Sequence, residues 1–301
     1  YRPTLRRRGL MLKVLIALDG SPSALGAAQH VAELARRGTQ IEAVLLTVQP
    51  PIMAGEVGVI ASAQVAQAER ARAAAEVLGP GCLIMLKAGI PYVEEEATDS
   101  PARAIAACAS HRGANVIMMG TRGLSSLKRV VLGSVSKDVL HLTDLPVTLF
   151  KSGKIRRLND PTRLLVAVDG SPSALRATEY EAKLGSELPR CEVHLLHVRP
   201  SLTYGGVLVS SHDALIKHWS AKDAEAAFAE PAGTLDQAKQ AYTLHIEDGD
   251  PAACIVNATR QLGIDLVLLG TRGLGRVAAL VMGSVADAVL RQAPVPVTMV
   301  R

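Results

Sequence analysis

The chain has 301 residues, of which 49% are hydrophobic and 20% charged, with a formal net charge of +5. At roughly 100–200 residues per domain this is a two-domain length, and the composition is that of folded protein rather than of a disordered chain. Cys82, Cys108, Cys191 and Cys254 form no Cys-x-x-Cys pair, which argues against a disulfide scaffold, and two Phe, five Tyr and one Trp are too few for a base-stacking platform.

In chain order, residues 1–10 are a basic arm carrying Arg2, Arg6, Arg7 and Arg8. The arm is expected to be disordered or foreign to the native chain, with Met11 as the natural start. The apolar run MLKVLIAL that follows ends at Asp19, short for the core of a signal peptide. KVLIALDGSPSAL at 13–25 also nearly recurs as RLLVAVDGSPSAL at 163–175, where no signal can lie. Both copies therefore read as a strand. Val14–Leu18 is the first buried strand, and Ser21-Pro22 reads as a helix cap followed by proline at the first helical position. Val44–Val48 is the second strand and residues 61–79 the second helix. Tyr92–Ala97 reads as an edge strand, 101–111 as the third helix, and Val116–Met119 and Val147–Phe150 as short buried strands. Residues 152–162, with Gly153, Asn159 and Pro161, read as a linker.

Beyond the linker the chain repeats itself at an offset of 150 residues. IEAVLLTVQP at 41–50 faces CEVHLLHVRP at 191–200, NVIMMGTRGL at 115–124 faces DLVLLGTRGL at 265–274, and VLGSV at 131–135 faces VMGSV at 281–285. One register covers all of these, so residues 11–151 and 163–301 are a duplicated domain. Helices are expected at 211–230 and 251–262, and an edge strand at Tyr242–Ile246. Strands alternating with helices define an α/β fold with a parallel sheet covered on both faces. No window of 18 uninterrupted apolar residues occurs, so the expectation is a soluble, cytoplasmic protein without a membrane span. The arm contributes +4, and residues 151–163 contribute another +4, which leaves −3 for the rest. The charge thus marks an arm and a connector, not a nucleic-acid-binding face.

Ligands of open parallel sheets bind beyond the carboxyl ends of the strands, where the strand order reverses. Asp19 and Asp169 stand at one such end, and Gly120 and Gly270 at another. From Gly120 the chain reads Gly-Thr-Arg-Gly123, nine residues, then Gly133-Ser134; from Gly270 it reads Gly-Thr-Arg-Gly273, nine residues, then Gly283-Ser284. Glycines admit close backbone approach, and a helix start supplies free amides and a favourable dipole, which together suit phosphate. Lys128 and Arg129 of the first loop are Ala278 and Ala279 in the second, which carries Arg276, so amides are the shared device. Asp19 can accept from ribose hydroxyls, hold Mg²⁺ near phosphates, or cap the helix at Pro22. Arg122 and Arg272 are candidate phosphate clamps or solvated surface residues. His194 and His197, three apart on a strand, point to opposite faces and do not share a metal.

These motifs resemble those of the universal stress proteins, specifically a tandem form of the ATP-binding branch. The family signature Gly-x-x-Gly, nine residues, Gly-Ser is complete in both halves, and Asp19 and Asp169 match the strand-one Asp. The resemblance implies two Rossmann-like domains of the adenine nucleotide alpha hydrolase type, each with a five-stranded parallel sheet. It implies adenine and ribose near Asp19 and Val48, or Asp169 and Val198. It implies phosphates against Gly120, Gly123, Gly133, Ser134 and Val135, and against Gly270, Gly273, Gly283, Ser284 and Val285. The family's Gly-x-Pro turn stands at Gly249-Asp250-Pro251, whereas the first half has Asp99-Ser100-Pro101, so the two turns are expected to differ.

Three functions fit this reading: a regulatory protein that binds ATP (or ADP or AMP, with Mg²⁺), a slow ATPase, and an interaction scaffold with vestigial sites. Neither loop holds Asp, Glu or His between Gly120 and Ser134 or Gly270 and Ser284, so a hydrolytic base is missing there. The short apolar last strands imply that the halves pack about a pseudo-twofold axis and that the chain forms a homodimer. A downstream protein partner of unknown identity is expected.

Overall fold

The computed structural model describes residues 11–49, 63–121, 132–151, 158–188, 190–199, 203–204, 207–208, 214–271 and 282–301. The chain divides into two units between Arg157 and Leu158. The first contains β1 (Leu12–Ala17), α1 (Pro22–Arg36), β2 (Ile41–Gln49), α2 (Ala63–Ala88), β3 (Tyr92–Thr98), α3 (Pro101–Arg112), β4 (Val116–Gly120), α4 (Ser134–Leu142) and β5 (Val147–Phe150). The second contains β6 (Thr162–Ala167), α5 (Pro172–Glu187), β7 (Cys191–Arg199), β8 (Thr203–Tyr204), β9 (Val207–Leu208), α6 (Ala214–Gln237), β10 (Tyr242–Asp248), α7 (Pro251–Gln261), β11 (Leu266–Gly270), α8 (Ser284–Gln292) and β12 (Val297–Val300). The basic arm lies outside the described residues.

Within the first unit the strand order is β5-β4-β1-β2-β3, and within the second it is β12-β11-β6-β7-β10. Every pair of neighbours in each set is parallel, with Leu12 beside Ile41 and Val14 beside Val116 on the two sides of β1. The chain moves from β1 outward to β3, then crosses back to β4 and β5 on the other side. Right-handed crossovers then set α1 and α2 on one face and α3 and α4 on the other. The contacts agree, since α1 packs on α2 and α3 packs on α4. Central strands are buried on both faces, which is why β1 and β4 read as continuous apolar runs. The second unit adds the antiparallel pair β8–β9.

Helix starts follow the sequence closely. Ser21 and Ser171 sit in extended conformation before Pro22 and Pro172, and each hydroxyl accepts the amide three residues on, Ala24 or Ala174, at 3.2 Å. Helix ends do not. The second helix is expected to stop at residue 79 and its counterpart at about 230; Gly79-Pro80-Gly81 and Pro231, which follow these ends, interrupt the hydrogen-bond ladder of a helix. Instead α2 runs on to Ala88 and α6 to Gln237. Apolar anchors seven residues apart straddle each proline: Leu78 and Met85 in α2, Phe228 and Leu235 in α6, all buried. Their burial on one face outweighs one lost backbone bond. The second unit's packing also takes in residues a few positions ahead of β6: Leu158 is buried, and the Asn159 amide donates to both Asp265 carboxylate oxygens at 3.1 Å.

Candidate functional site

Strand order reverses between β1 and β4, and between β6 and β11, so a crevice beyond these carboxyl ends is the place where a ligand meets both. At the β1 exit, Leu18 N–H still donates to Leu46 O at 2.8 Å, and Gly20 then turns the chain with φ +78°, a region that glycine enters freely. This turn lets Asp19 Oδ1 accept the Ser21 amide at 2.9 Å; Asp169 does the same with Ser171 at 3.0 Å. Ser21, not Asp19, caps α1. The aspartate is left as a carboxylate fixed at the strand exit, exposed in the first copy and half-buried in the second.

At the β4 exit the backbone of Gly120 lies directly on the start of α1. A Cβ there would sit 2.5 Å from Ser23 Oγ; at Gly270 it would sit 2.5 Å from Ser173 Oγ and 2.7 Å from the Ser173 carbonyl carbon. Glycine thereby draws the two strand exits together. Ser23 and Ser173 are buried and lie 3.2 Å from the capping hydroxyls of Ser21 and Ser171. Next, Thr121 N–H donates to Phe150 O and Gly133 N–H donates to Thr121 O, both at 2.8 Å, with Thr271, Val300 and Gly283 repeating the pattern at the same distances. These bonds hold Gly133 beside Thr121, and Gly283 beside Thr271. Ser136 Oγ also donates to Gly120 O at 3.1 Å, a bond that Ala286 cannot make in the second copy.

Helices α4 and α8 start at Ser134 and Ser284 behind Gly133 and Gly283, whose extended backbones (φ −61° and −65°) bring no capping side chain. First-turn amides are thus left without one, next to a dipole end that favours anions. Ser134 and Ser284 are exposed, Val135 and Val285 half-buried. Lys137 lies in the first turns of α4, whereas its counterpart Asp287 pairs with Arg291 at 2.5 Å. Val48 and Val198 stand half-buried near the ends of β2 and β7, opposite Ala97 and Glu247. Arg122, Gly123, Arg272 and Gly273 lie outside the described residues.

Sequence reasoning missed Ser23, Ser173, Thr121 and Thr271, although the exact recurrence of DGSPS and GTRG in both halves was a signal for them. It separated His194 from His197 correctly: His197 Nδ1–H donates to Val168 O at 2.9 Å, while His194 Nδ1 lies 3.0 Å from His245 Nε2. The His245 partnership had no local signal. The two family-type turns differ as expected, because Asp250 caps α7 by accepting Ala253 N–H at 2.8 Å whereas Ser100 makes no side-chain cap. Among the described residues no group of three or more His, Cys, Asp or Glu could hold a metal ion. Among them, too, no helix is long and apolar enough to cross a membrane.

Fold and site define a doubly wound α/β domain used twice, each copy with a carboxylate and an uncapped helix start at its topological switch point. The chain belongs to the universal stress protein family, whose family model matches residues 11–151 and 161–301. A universal stress protein of Mycolicibacterium smegmatis is 26% identical over 194 residues, 63% of each chain. One from Mycobacterium tuberculosis is 30% identical over 192 residues, 62% of each. The match thus spans less than two thirds of the length of these curated relatives. A crystal structure of a universal stress protein from Archaeoglobus fulgidus aligns with 96% of both chains, at a TM-score of 0.66 and 25% identity.

Proposed function

We propose that each copy binds one adenine nucleotide in the crevice at its switch point, and that occupancy regulates the protein's interactions in a stress response. ATP is the favoured ligand, with ADP and AMP open to the same crevice. Base and ribose would lie by Asp19 and Val48 or Asp169 and Val198. Phosphates would lie along Gly120, Arg122, Gly123, Gly133, Ser134 and Val135, or Gly270, Arg272, Gly273, Gly283, Ser284 and Val285. Mg²⁺ would need phosphate oxygens beside Asp19 or Asp169, because among the described residues no group of three or more His, Cys, Asp or Glu could hold a metal ion there. A cytoplasmic setting, a homodimer and a downstream protein partner belong to the same proposal and rest on family membership.

The observation that carries the reading is the repetition, in both copies, of an uncapped α4 or α8 start beside an anchored aspartate where strand order reverses. Regulation is favoured over hydrolysis because the segments between Gly120 and Ser134, and between Gly270 and Ser284, contain no acid or histidine to orient water. Calorimetric titration with ATP should give two sites per chain, and Gly133→Asp or Gly283→Asp should each remove one. At φ −61° or −65° the new Asp meets no backbone strain, and it caps the helix, so lost binding reflects the displaced phosphate rather than unfolding. Unchanged ATP binding in the double variant refutes the assignment.

A further inference from the structure

In the second unit β10 is the outermost strand of the order β12-β11-β6-β7-β10, and little apolar burial holds it: Leu244 and Ile246 are each 48% exposed. Among the described residues two side-chain bridges tie it to β7. One is the ion pair of Arg199 with Asp248, bonded Nε to Oδ1 at 2.7 Å and Nη2 to Oδ2 at 2.6 Å. The other is the imidazole pair, His194 Nδ1 to His245 Nε2 at 3.0 Å, with ring centroids 5.2 Å apart. Thr243 lies opposite His194 and Leu196 opposite His245, so the bridge runs diagonally across the two strands. Among the described residues the first unit has no such histidine pair. Val44 and Glu95 hold the equivalent positions, and Glu95 pairs instead with Arg112 of α3.

The protons of this pair are constrained. His194 Nε2 is buried and has no hydrogen-bond partner. A neutral imidazole carries one N–H, and leaving a buried N–H without an acceptor is costly. The favoured state therefore has His194 Nδ1–H donating to His245 Nε2, with a bare lone pair at the buried Nε2. A proton added to His194 must sit on that Nε2, where nothing accepts it. A proton added to His245 Nε2 removes the acceptor of the bridge. Keeping the bridge by reversing its direction moves the His194 hydrogen onto the same buried Nε2. An extra proton therefore either breaks the bridge or leaves a buried N–H without an acceptor.

We propose that the His194–His245 pair is an acid-sensitive latch, which fastens the edge strand β10 to β7 at neutral pH and releases it when either imidazole is protonated. The groups facing it set the direction. Glu192, bonded to Arg163 of β6 at 2.9 Å, and Arg163 itself act on His194, and Glu247 acts on His245. Of the titratable residues of α7, which packs on β7, Cys254 lies in the field of Glu247, Asp248 and Asp250, and Arg260 is held to Asn257. Burial is the largest influence on both imidazoles and pushes both below their ordinary 6.5; mutual repulsion lowers His194 further, and the two glutamates oppose the shift. A histidine that is harder to protonate when folded stabilises the closed strand above 6.5, and that contribution is lost as pH falls through the lowered value.

Hydrogen exchange of the intact chain tests the latch, with residues 92–98 of β3 as the internal reference for 242–248. After correction for intrinsic rates, protection of β10 should fall relative to β3 by up to about tenfold per pH unit below 6.5 for each proton taken up on opening. His194→Val, which installs the first copy's residue, and His245→Gln should both abolish that pH dependence. Protection of β10 that tracks β3 at every pH overturns the proposal, as does a pH dependence that survives in both variants. If Zn²⁺ added near neutral pH raises β10 protection in the unmodified chain but not in His245→Gln, the pair is a metal site and not a latch.

Discussion

Glu181 offers a quantitative test of how the second copy differs from the first. It lies on α5 with no exposed surface, where the first copy has Val31, equally buried. Its Oε1 accepts from Gln240 Nε2 at 2.9 Å, and its Oε2 has no partner. Burial pushes its pKa from 4.5 up to about 8, against the smaller opposing effect of Gln240. The carboxyl is therefore protonated in the fold at neutral pH, whereas in the unfolded chain it ionises. For a group with a raised folded pKa, stability is fully present below 4.5 and is lost as pH rises toward about 8. Each pH unit in that window costs about 1.4 kcal/mol, so at pH 7 the site is about 3 kcal/mol worse than a neutral isostere. Glu181→Gln keeps the acceptor for Gln240 and removes the charge. Urea unfolding followed by the single tryptophan, Trp219, which lies in the sequence of the second unit, should show the gap between variant and parent widening from about pH 5 to pH 8. The difference between the two chains cancels the titration of the histidines. Parallel pH profiles would show that Glu181 is ionised in the fold and refute the reasoning.

Gly270→Ala should lower the stability of the second unit by about 1–3 kcal/mol, since its Cβ meets the Ser173 backbone at 2.7 Å. Gly120→Ala should cost less, because the nearest backbone atom to its Cβ, Ala24 N, lies at 3.1 Å; equal losses in parallel denaturation curves would contradict this. Asp250→Ala should cost about 1 kcal/mol by uncapping α7, while Ser100→Ala at the matching position should be close to neutral in the same assay.

The features legible in the sequence are those with local causes. Strands buried on both faces announce themselves as short apolar runs, and Ser21-Pro22 and Ser171-Pro172 fix their helix starts through bonds that span three residues. Duplication made the site legible as well, because Asp19, Gly120, Gly133 and their counterparts recur in one register. The illegible features are non-local. Nothing near Pro80 shows that Met85 will find a buried position beyond it, and nothing near His194 or Glu181 points to His245, 51 residues on, or Gln240, 59 residues on. In each case packing across elements decided against, or without, a local signal.

The pattern of difference between the copies bears on how the duplication works. At the switch point both copies keep the same glycines, the paired serine hydroxyls after the aspartate and the same backbone bonds to within 0.1 Å in the anchoring distances, 2.9 against 3.0 Å at the aspartates and 2.8 Å at the loop ends, although the Ser136 hydroxyl has no counterpart at Ala286. Away from it they part, as Val31 becomes Glu181, Val44 becomes His194 and Glu95 becomes His245, and in the first turn of the helix at the site Lys137 becomes Asp287. Three of these four replacements place a titratable group in the second copy where the first has an apolar or oppositely charged one, and the fourth exchanges a carboxylate for an imidazole. A stability difference of about 3 kcal/mol from Glu181 alone is a large share of what a single domain possesses. It follows that pH acts on the two copies unequally while leaving their shared crevice geometry in place. A nucleotide bound in the second crevice, as proposed, would oppose opening of that unit by mass action and so link its occupancy to pH.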